Sequence, residues 1–564
     1  MLRLAPLLIV ALLVGPILAG LVMALLPAFG YLPALGGERL SLAPWRELFA
    51  QPGLARSVGV SFVSGLVTTT VSLVVVLLFL TGVSGSRLDR WIRRMVAPLL
   101  SLPHAAAAFG LAFLIAPSGL LARLLSPELT GWERPPDLLI VQDPWGFALM
   151  LGLVIKEIPF LLLMSLAALP QLDPGRRVIL ARSLGYRPTT AWLKVVAPTL
   201  YPLIRLPVYA VIAYATSVVD VAMILGPTLP PTLAVSVLTW FHDPDLSRRF
   251  MASAGAVLQL GVTAAALVAW WCLERLVSWL GRHWIDRGAR SCAELPLRQA
   301  GKSLILIATL TACAGLAGLA LSSSAGFWRF PDLLPQGFTT VHWLRALPSL
   351  SGPVTATWII AVSATLVALA LTLAALENEQ RSGRRPAQGK LLSALTLLYL
   401  PLIVPQIAFL FGLVVVMESL GTRPRLGLVI FGHLLFVLPY VFLSLSEAYR
   451  RFDPRWMQLA LTLGSSRQSA FWRVRLPMML APVLTAAAVG LAVSIGLYLP
   501  TLLLGAGRIA TVTTEAVSLA AGGNRRVIGV WALVQASLPL IGFIIAVGIP
   551  RLLWANRRGL QGAP

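Results

Sequence analysis

The sequence predicts an all-α integral membrane protein of about twelve transmembrane helices, arranged as two tandem, parallel six-helix repeats. Three observations predict it. Only 12% of the 564 residues are charged and 57% are hydrophobic, whereas a soluble globular domain carries roughly a quarter charged residues. Apolar runs of about 20 residues, the length that crosses a bilayer core, recur along the whole chain. Basic residues collect in every second segment between those runs, which is the pattern of cytoplasmic loops.

The runs fall at about 4–28, 57–82, 96–116, 146–169, 199–225, 254–280, 302–322, 354–377, 391–417, 426–447, 478–504 and 527–554. They are long and lack strict alternation, which selects helices over barrel strands. The first follows Met1-Leu2-Arg3 and exceeds the roughly 7–15 apolar residues of a signal-peptide core, so it reads as an uncleaved span. Basic clusters follow the even-numbered runs: Arg87, Arg90, Arg93 and Arg94; Arg176, Arg177, Arg182, Arg187 and Lys194; Arg282, Arg287, Arg290, Arg298 and Lys302; Arg381, Arg384, Arg385 and Lys390; Arg450, Arg451, Arg455, Arg467, Arg473 and Arg475. The tail adds Arg551, Arg557 and Arg558, while the intervening segments mix in acids such as Glu128, Asp137 and Asp243. This alternation places both termini in the cytoplasm. It also accounts for the net charge of +23 without nucleic acid, since no basic stripe with interleaved aromatics lies outside the loops. Cys272, Cys292 and Cys313 show neither metal spacing nor a paired pattern.

The chain divides near residue 300, giving repeats 1–300 and 301–564. The segment Leu172–Gly185 matches Phe452–Gly464, and beyond the glycine an offset of 279 residues places Ala191 on Ala470, Val195 on Val474, Pro198 on Pro477, Gly226 on Gly505 and Thr232 on Thr511. Pro103, Gly110 and Gly119 share their spacing with Pro405, Gly412 and Gly421. The larger offset there marks residues 131–146 as extra chain in the first half.

The loops at 170–198 and 450–477 hold the most specific pattern. Asp173-Pro174 and Asp453-Pro454 read as helix starts, because Asp accepts from free backbone N–H groups and Pro suits the first helical position. Gly185 and Gly464 read as the left-handed residues that end those helices. A second amphipathic stretch runs through Trp192, matched by Trp472, before Pro198 and Pro477 open the next span. A short exposed helix on each half is what a pair of identical partner subunits would grip.

Here the chain resembles the permeases of binding-protein-dependent ABC importers. Their cytoplasmic pattern is Glu-Ala-Ala, three residues, Gly, nine residues, Ile-x-Leu-Pro. The first loop offers Ile179-Leu180-Ala181, Gly185 and Val195-x-Ala197-Pro198; the second offers Gln458-Leu459-Ala460, Gly464 and Val474-x-Leu476-Pro477. The leading Glu and first Ala are absent from both. The chain looks most like the fused two-domain permeases of the thiamine and iron(III) importers. The resemblance implies a bacterial inner-membrane protein with a coupling helix in each loop, seated in two copies of an ABC ATPase subunit, and a periplasmic solute-binding protein that delivers a small solute. It also implies that ATP and Mg²⁺ belong to the partner ATPase and that this chain binds no cofactor. Gly301-Lys302-Ser303 does not contradict this, because a phosphate loop needs Gly where Pro296 stands.

Ionisable residues within spans are costly and mark pathways. Lys156 and Glu157 fall mid-span four, Asp220 in the outer part of span five, and His433 in span ten. Lys156, Glu157 and Asp220 are the candidate pathway residues, with Asp220 favouring a cation. The alternative is a secondary transporter of the major facilitator type, whose loop motif Gly85, Asp89, Arg90, Arg93 and Arg94 partly resemble. Ile92 replaces the glycine that this motif requires.

Overall fold

The computed structural model describes residues 4–82, 87–382, 397–522 and 524–554. Gly85, Arg384, Arg385, Lys390, Arg557, Arg558 and the start of the ninth predicted span lie outside the described residues. Ten helices are long and apolar enough to cross a bilayer, and two bent pairs bring the number to twelve. Only two isolated β-bridges interrupt the helical architecture among the described residues. Helices satisfy their own backbone groups, which is what lipid demands. Their outward faces carry apolar side chains such as Leu7, Leu18, Val22, Ile307, Leu310 and Ile544, all exposed.

Four predicted spans are not single helices. The third, expected at 96–116, is cut: one helix covers Arg87–Ser101 and the crossing begins at His104, with extended Pro103 between them. The ninth breaks at the equivalent Pro405, where Leu397–Ile403 and Gln406–Ser419 meet at 96°. Proline explains both, since it lacks the N–H and drives the preceding residue out of the helical region. The fifth stops at Ser217, passes through extended Val218, and resumes as Asp220–Leu225. The eleventh does the same at Gly496, Leu497 and Leu499–Gly505. The 279-residue offset therefore aligns the break as well as the residues.

Two short helices, Leu233–Phe241 and Val512–Leu519, were not predicted, being too short to register as spans. Each hangs from the second span of its half: the Leu233 amide donates to Ser61 Oγ at 3.1 Å and the Val512 amide to Thr357 Oγ1 at 3.0 Å. The two halves are also interleaved. The first helix, Ala5–Ala28, packs on Gln406–Ser419 of the second half, while Glu294–Ser324 packs on Leu54–Thr81 and His104–Ile115 of the first. Glycines permit these crossings: a Cβ on Gly412 would sit 1.7 Å from the Gly20 carbonyl oxygen, and one on Gly110 would sit 3.0 Å from the Gly315 backbone. Gly301 belongs to this packing as well, lying against the backbone of Leu78 and Phe79 within a helix. Its Gly-Lys-Ser sequence forms no phosphate loop.

Candidate coupling and pathway sites

The first coupling loop contains the helix Pro174–Ser183, with Asp173 as its cap accepting from the Arg176 amide at 3.5 Å. Gly185 follows at φ +88°. Its amide donates to the Arg182 carbonyl at 2.9 Å and the Tyr186 amide to that of Ala181 at 3.2 Å, the paired closure that satisfies the last free carbonyls of a helix. The second loop repeats the helix and its closing glycine, but Pro454, not the expected Asp453, holds the cap position. Its helix is Arg455–Thr462, Asp453 accepts from the Arg455 amide at 2.9 Å, and Gly464 at φ +85° closes it through Leu461 and Ala460. Ala181 and Ala460 are buried beneath their helices, while Ile179, Leu180, Leu184, Trp456, Leu459 and Leu463 point outward, with Leu184 66% and Leu463 78% exposed.

Beyond the glycines the structure corrects two expectations. Pro198 opens the span Ala197–Ser217 as expected, at its second residue, but Pro477 opens only the three-residue helix Leu476–Met478 ahead of the span Leu480–Gly496. In each half a short helix, Pro188–Ala191 or Arg467–Ala470, runs into a π-helical turn, Trp192–Val196 or Phe471–Arg475, and the proline follows that turn. The tryptophans are not equivalent either: Trp192 aligns with Phe471 and is 7% exposed, whereas Trp472 is 59% exposed.

The footings of the two loops differ. In the first, the Glu294 carboxylate accepts from the amides of Thr189 and Thr190 at 3.2 and 3.1 Å. Lys194 donates to the carbonyls of Trp284 and Ala289 at 3.0 and 2.8 Å, and the Arg187 amide to that of Arg290 at 3.0 Å. All of these partners lie in the chain joining the halves. In the second, Glu377 Oε2 accepts from buried Arg475 and from Tyr449 at 2.5 Å each, and its Oε1 accepts from Arg381 at 2.7 Å.

The charged residues within spans collect where the halves meet. Lys156 is buried, and its ammonium donates to the carbonyls of Leu99 and Leu100 at 3.0 and 2.9 Å. It thereby satisfies the helix end that the break at Pro103 leaves free. Glu157 points the other way, 3.3 Å from His104 Nε2. The His104 ring packs on Tyr214 at 4.7 Å between centroids, and His104 also lies within electrostatic reach of Asp220. Tyrosines face this group from the second half: Tyr440 lies near Glu157, Tyr399 beside Tyr440, and Tyr498 near Asp220. His433 is elsewhere, held between Ser494 Oγ and Thr501 Oγ1 at 2.8 Å each. Sequence reasoning missed His104 and the four tyrosines. The available signal was positional, since the partners of Tyr214 and Tyr498 at the 279-residue offset are Val493 and Val219, and that of Tyr440 is Phe160 at the 280-residue offset that places Leu172 on Phe452.

This arrangement of up to twelve crossings with a charged seam between two bundles defines a multi-pass membrane protein. Residues 381–549 match the family described as "Binding-protein-dependent transport system inner membrane component". The whole chain is similar to the inner membrane ABC transporter permease protein YnjC of Escherichia coli strain K12, at 33% identity over 525 residues, covering 93% of each chain. The protein belongs to the permease family of binding-protein-dependent ABC transport systems. It is a transport subunit of the inner membrane, and membership implies association with an ATPase and a binding protein. The secondary-transporter alternative falls with this assignment.

Proposed function

We propose that the chain is the permease subunit that forms the translocation pathway of an importer, with repeats 1–300 and 301–564 each carrying one ATPase-coupling loop, 170–198 and 450–477. One ATPase subunit docks on each loop, both termini face the cytoplasm, and ATP with Mg²⁺ is bound by those subunits. A periplasmic binding protein delivers a small solute to the seam between the bundles, which Glu157 and Asp220 line while Lys156 holds the broken third span in place.

The observation that carries this reading is the pair of short helices closed by Gly185 and Gly464. They project exposed leucines on the basic side of the molecule, where apolar surface outside lipid calls for a protein partner. Swinging these two handles apart moves the spans rooted in them, and a π-helical turn lies between each handle and its span.

The test is cross-linking from Leu184→Cys and Leu463→Cys, each in a chain with Cys272, Cys292 and Cys313 replaced by Ala. Both positions are expected to capture the co-purified ATPase subunit. Capture at neither position, or uptake by the purified chain on an ion gradient alone, would falsify the proposal. In the assembled transporter, Asp220→Asn is expected to lower solute uptake while ATPase capture persists.

A further inference from the structure

The seam carries a more specific chemistry, and the inference drawn from it rests on the permease reading above. We infer that Glu157, His104 and Asp220 of the first half, together with Tyr440, Tyr399 and Tyr498 of the second, form a single binding site for a small organic cation.

Four observations converge on it. The first is the departure from the repeat. Before the loop glycine, where Leu172 falls on Phe452 at an offset of 280, Glu157 aligns with Val437 and Tyr440 with Phe160; beyond it, at 279, Asp220 aligns with Leu499 and Tyr498 with Val219. One half supplies the carboxylates and the other supplies phenols, so neither half contains the site alone. The second is charge. Asp220 is more than nine-tenths buried, its carboxylate meets only the backbone amides of Val221 and its own residue, and no Lys or Arg pairs with it among the described residues. Lys156 lies within reach of Glu157 alone and balances one carboxylate. Asp220 has no such ammonium beside it, so an incoming cation meets a carboxylate without a Lys or Arg partner among the described residues.

The third concerns the phenols. Tyr399 is more than nine-tenths buried beside Tyr440, and neither its hydroxyl nor those of Tyr214 and Tyr440 has a hydrogen-bond partner in the described structure. Tyr498 donates only to the Met223 sulfur across the seam, at 3.6 Å. None of these hydroxyls is sealed from solvent, so they stand open to an incoming ligand. The fourth is the donor set. Among the described residues no three His, Cys, Asp or Glu side chains converge as metal ligands do. Carboxylates spread among aromatic rings suit instead a weakly hydrated organic cation, whose charge is shared between an ion pair and ring faces.

The experiment uses the full chain in lipid nanodiscs and ligand-observed NMR, with benzyltrimethylammonium as the probe, guanidinium as a second cation and sulfate as the anion control. Saturable binding of benzyltrimethylammonium is expected, with no saturable binding of sulfate. Asp220→Asn is expected to weaken it about tenfold, because it removes the uncompensated charge. Tyr498→Leu is expected to weaken it about threefold, and Tyr498→Phe to leave it nearly unchanged, as a ring contact requires. Capture of the ATPase through Leu184→Cys reports folding of each variant and tests the permease reading separately. Saturable sulfate binding, no saturable organic cation on the unaltered chain, or equal binding by the Asp220→Asn and unaltered chains would each overturn the inference while leaving the permease reading intact.

Discussion

The two coupling loops end their helices in the same way and are held down differently. Both use a left-handed glycine and a π-helical turn at positions related by the repeat, and an Asp precedes each helix, Asp173 as its cap and Asp453 one residue ahead of the cap position. The first is then tied by backbone carbonyls and one carboxylate to the chain linking the halves. The second is footed instead on the buried group Glu377, Arg475 and Tyr449. The handle is a local structure that short sequence can specify twice. The anchorage depends on what chain is nearby, and that differs between the halves.

The comparison is broken most sharply through its carboxylates. Glu377→Ala leaves Arg475 buried without its counter-charge, a loss of about 3–5 kcal/mol for such pairs. Glu294→Ala removes a partly exposed helix cap, worth about 0.5–2 kcal/mol. Thermal unfolding of the purified chain is expected to show the larger drop for Glu377→Ala. ATPase coupling at Leu463 should then be lost and that at Leu184 kept. Equal drops would mean that the two footings are equivalent after all.

Next in size are the interleaved glycines. Gly412→Ala drives a methyl into the Gly20 carbonyl at 1.7 Å, whereas at Gly110 the nearest backbone atom of Gly315 is 3.0 Å away. Overpacking costs about 1–3 kcal/mol, with Gly412→Ala expected at the upper end and Gly110→Ala at the lower. Unfolding midpoints of the two variants check the order. A smaller effect separates the loop glycines. Either Gly→Ala places a methyl-bearing residue at positive φ, at a cost of about 1–2 kcal/mol. Gly185→Ala must also displace the flexible Arg290 side chain, while Gly464 has open space. Gly464→Ala should therefore be the milder of the pair.

Much of this was legible in the sequence for a physical reason. Bilayer thickness fixes span length, loop charge fixes alternation, and helix ends need particular residues, so Gly185, Gly464 and the prolines could be read directly. What could not be read depends on neighbours distant in the chain. Pro103 and Pro405 sit inside apolar runs that look continuous, and only the fold shows that they break them. Lys156 looked like a pathway charge, yet its ammonium is taken up by carbonyls 56 and 57 residues away. Glu377 gave no signal at the edge of a basic loop, because its partner Arg475 is 98 residues distant. The tyrosines of the seam were hidden for the opposite reason. An aromatic residue in an apolar run is ordinary until the position opposite it is seen to be a carboxylate.

The finest difference lies in the two aspartates. Asp453 accepts from its amide at 2.9 Å, whereas Asp173 reaches its own at 3.5 Å, at the limit of a hydrogen bond. Asp173 also sits at φ +46°, a left-handed conformation that costs any residue with a Cβ. Glycine at each position removes the side-chain acceptor and permits any φ. Asp453→Gly loses the short turn contact to the Arg455 amide just ahead of the helix, at about 0.5 kcal/mol with the added backbone entropy against it. Asp173→Gly gives up little hydrogen bonding and relieves the backbone, so the two effects offset and the net change is about zero. Differential unfolding of the two variants against the unaltered chain measures this. A loss for Asp173→Gly as large as that for Asp453→Gly would show that the long contact holds the first handle as firmly as the short one holds the second.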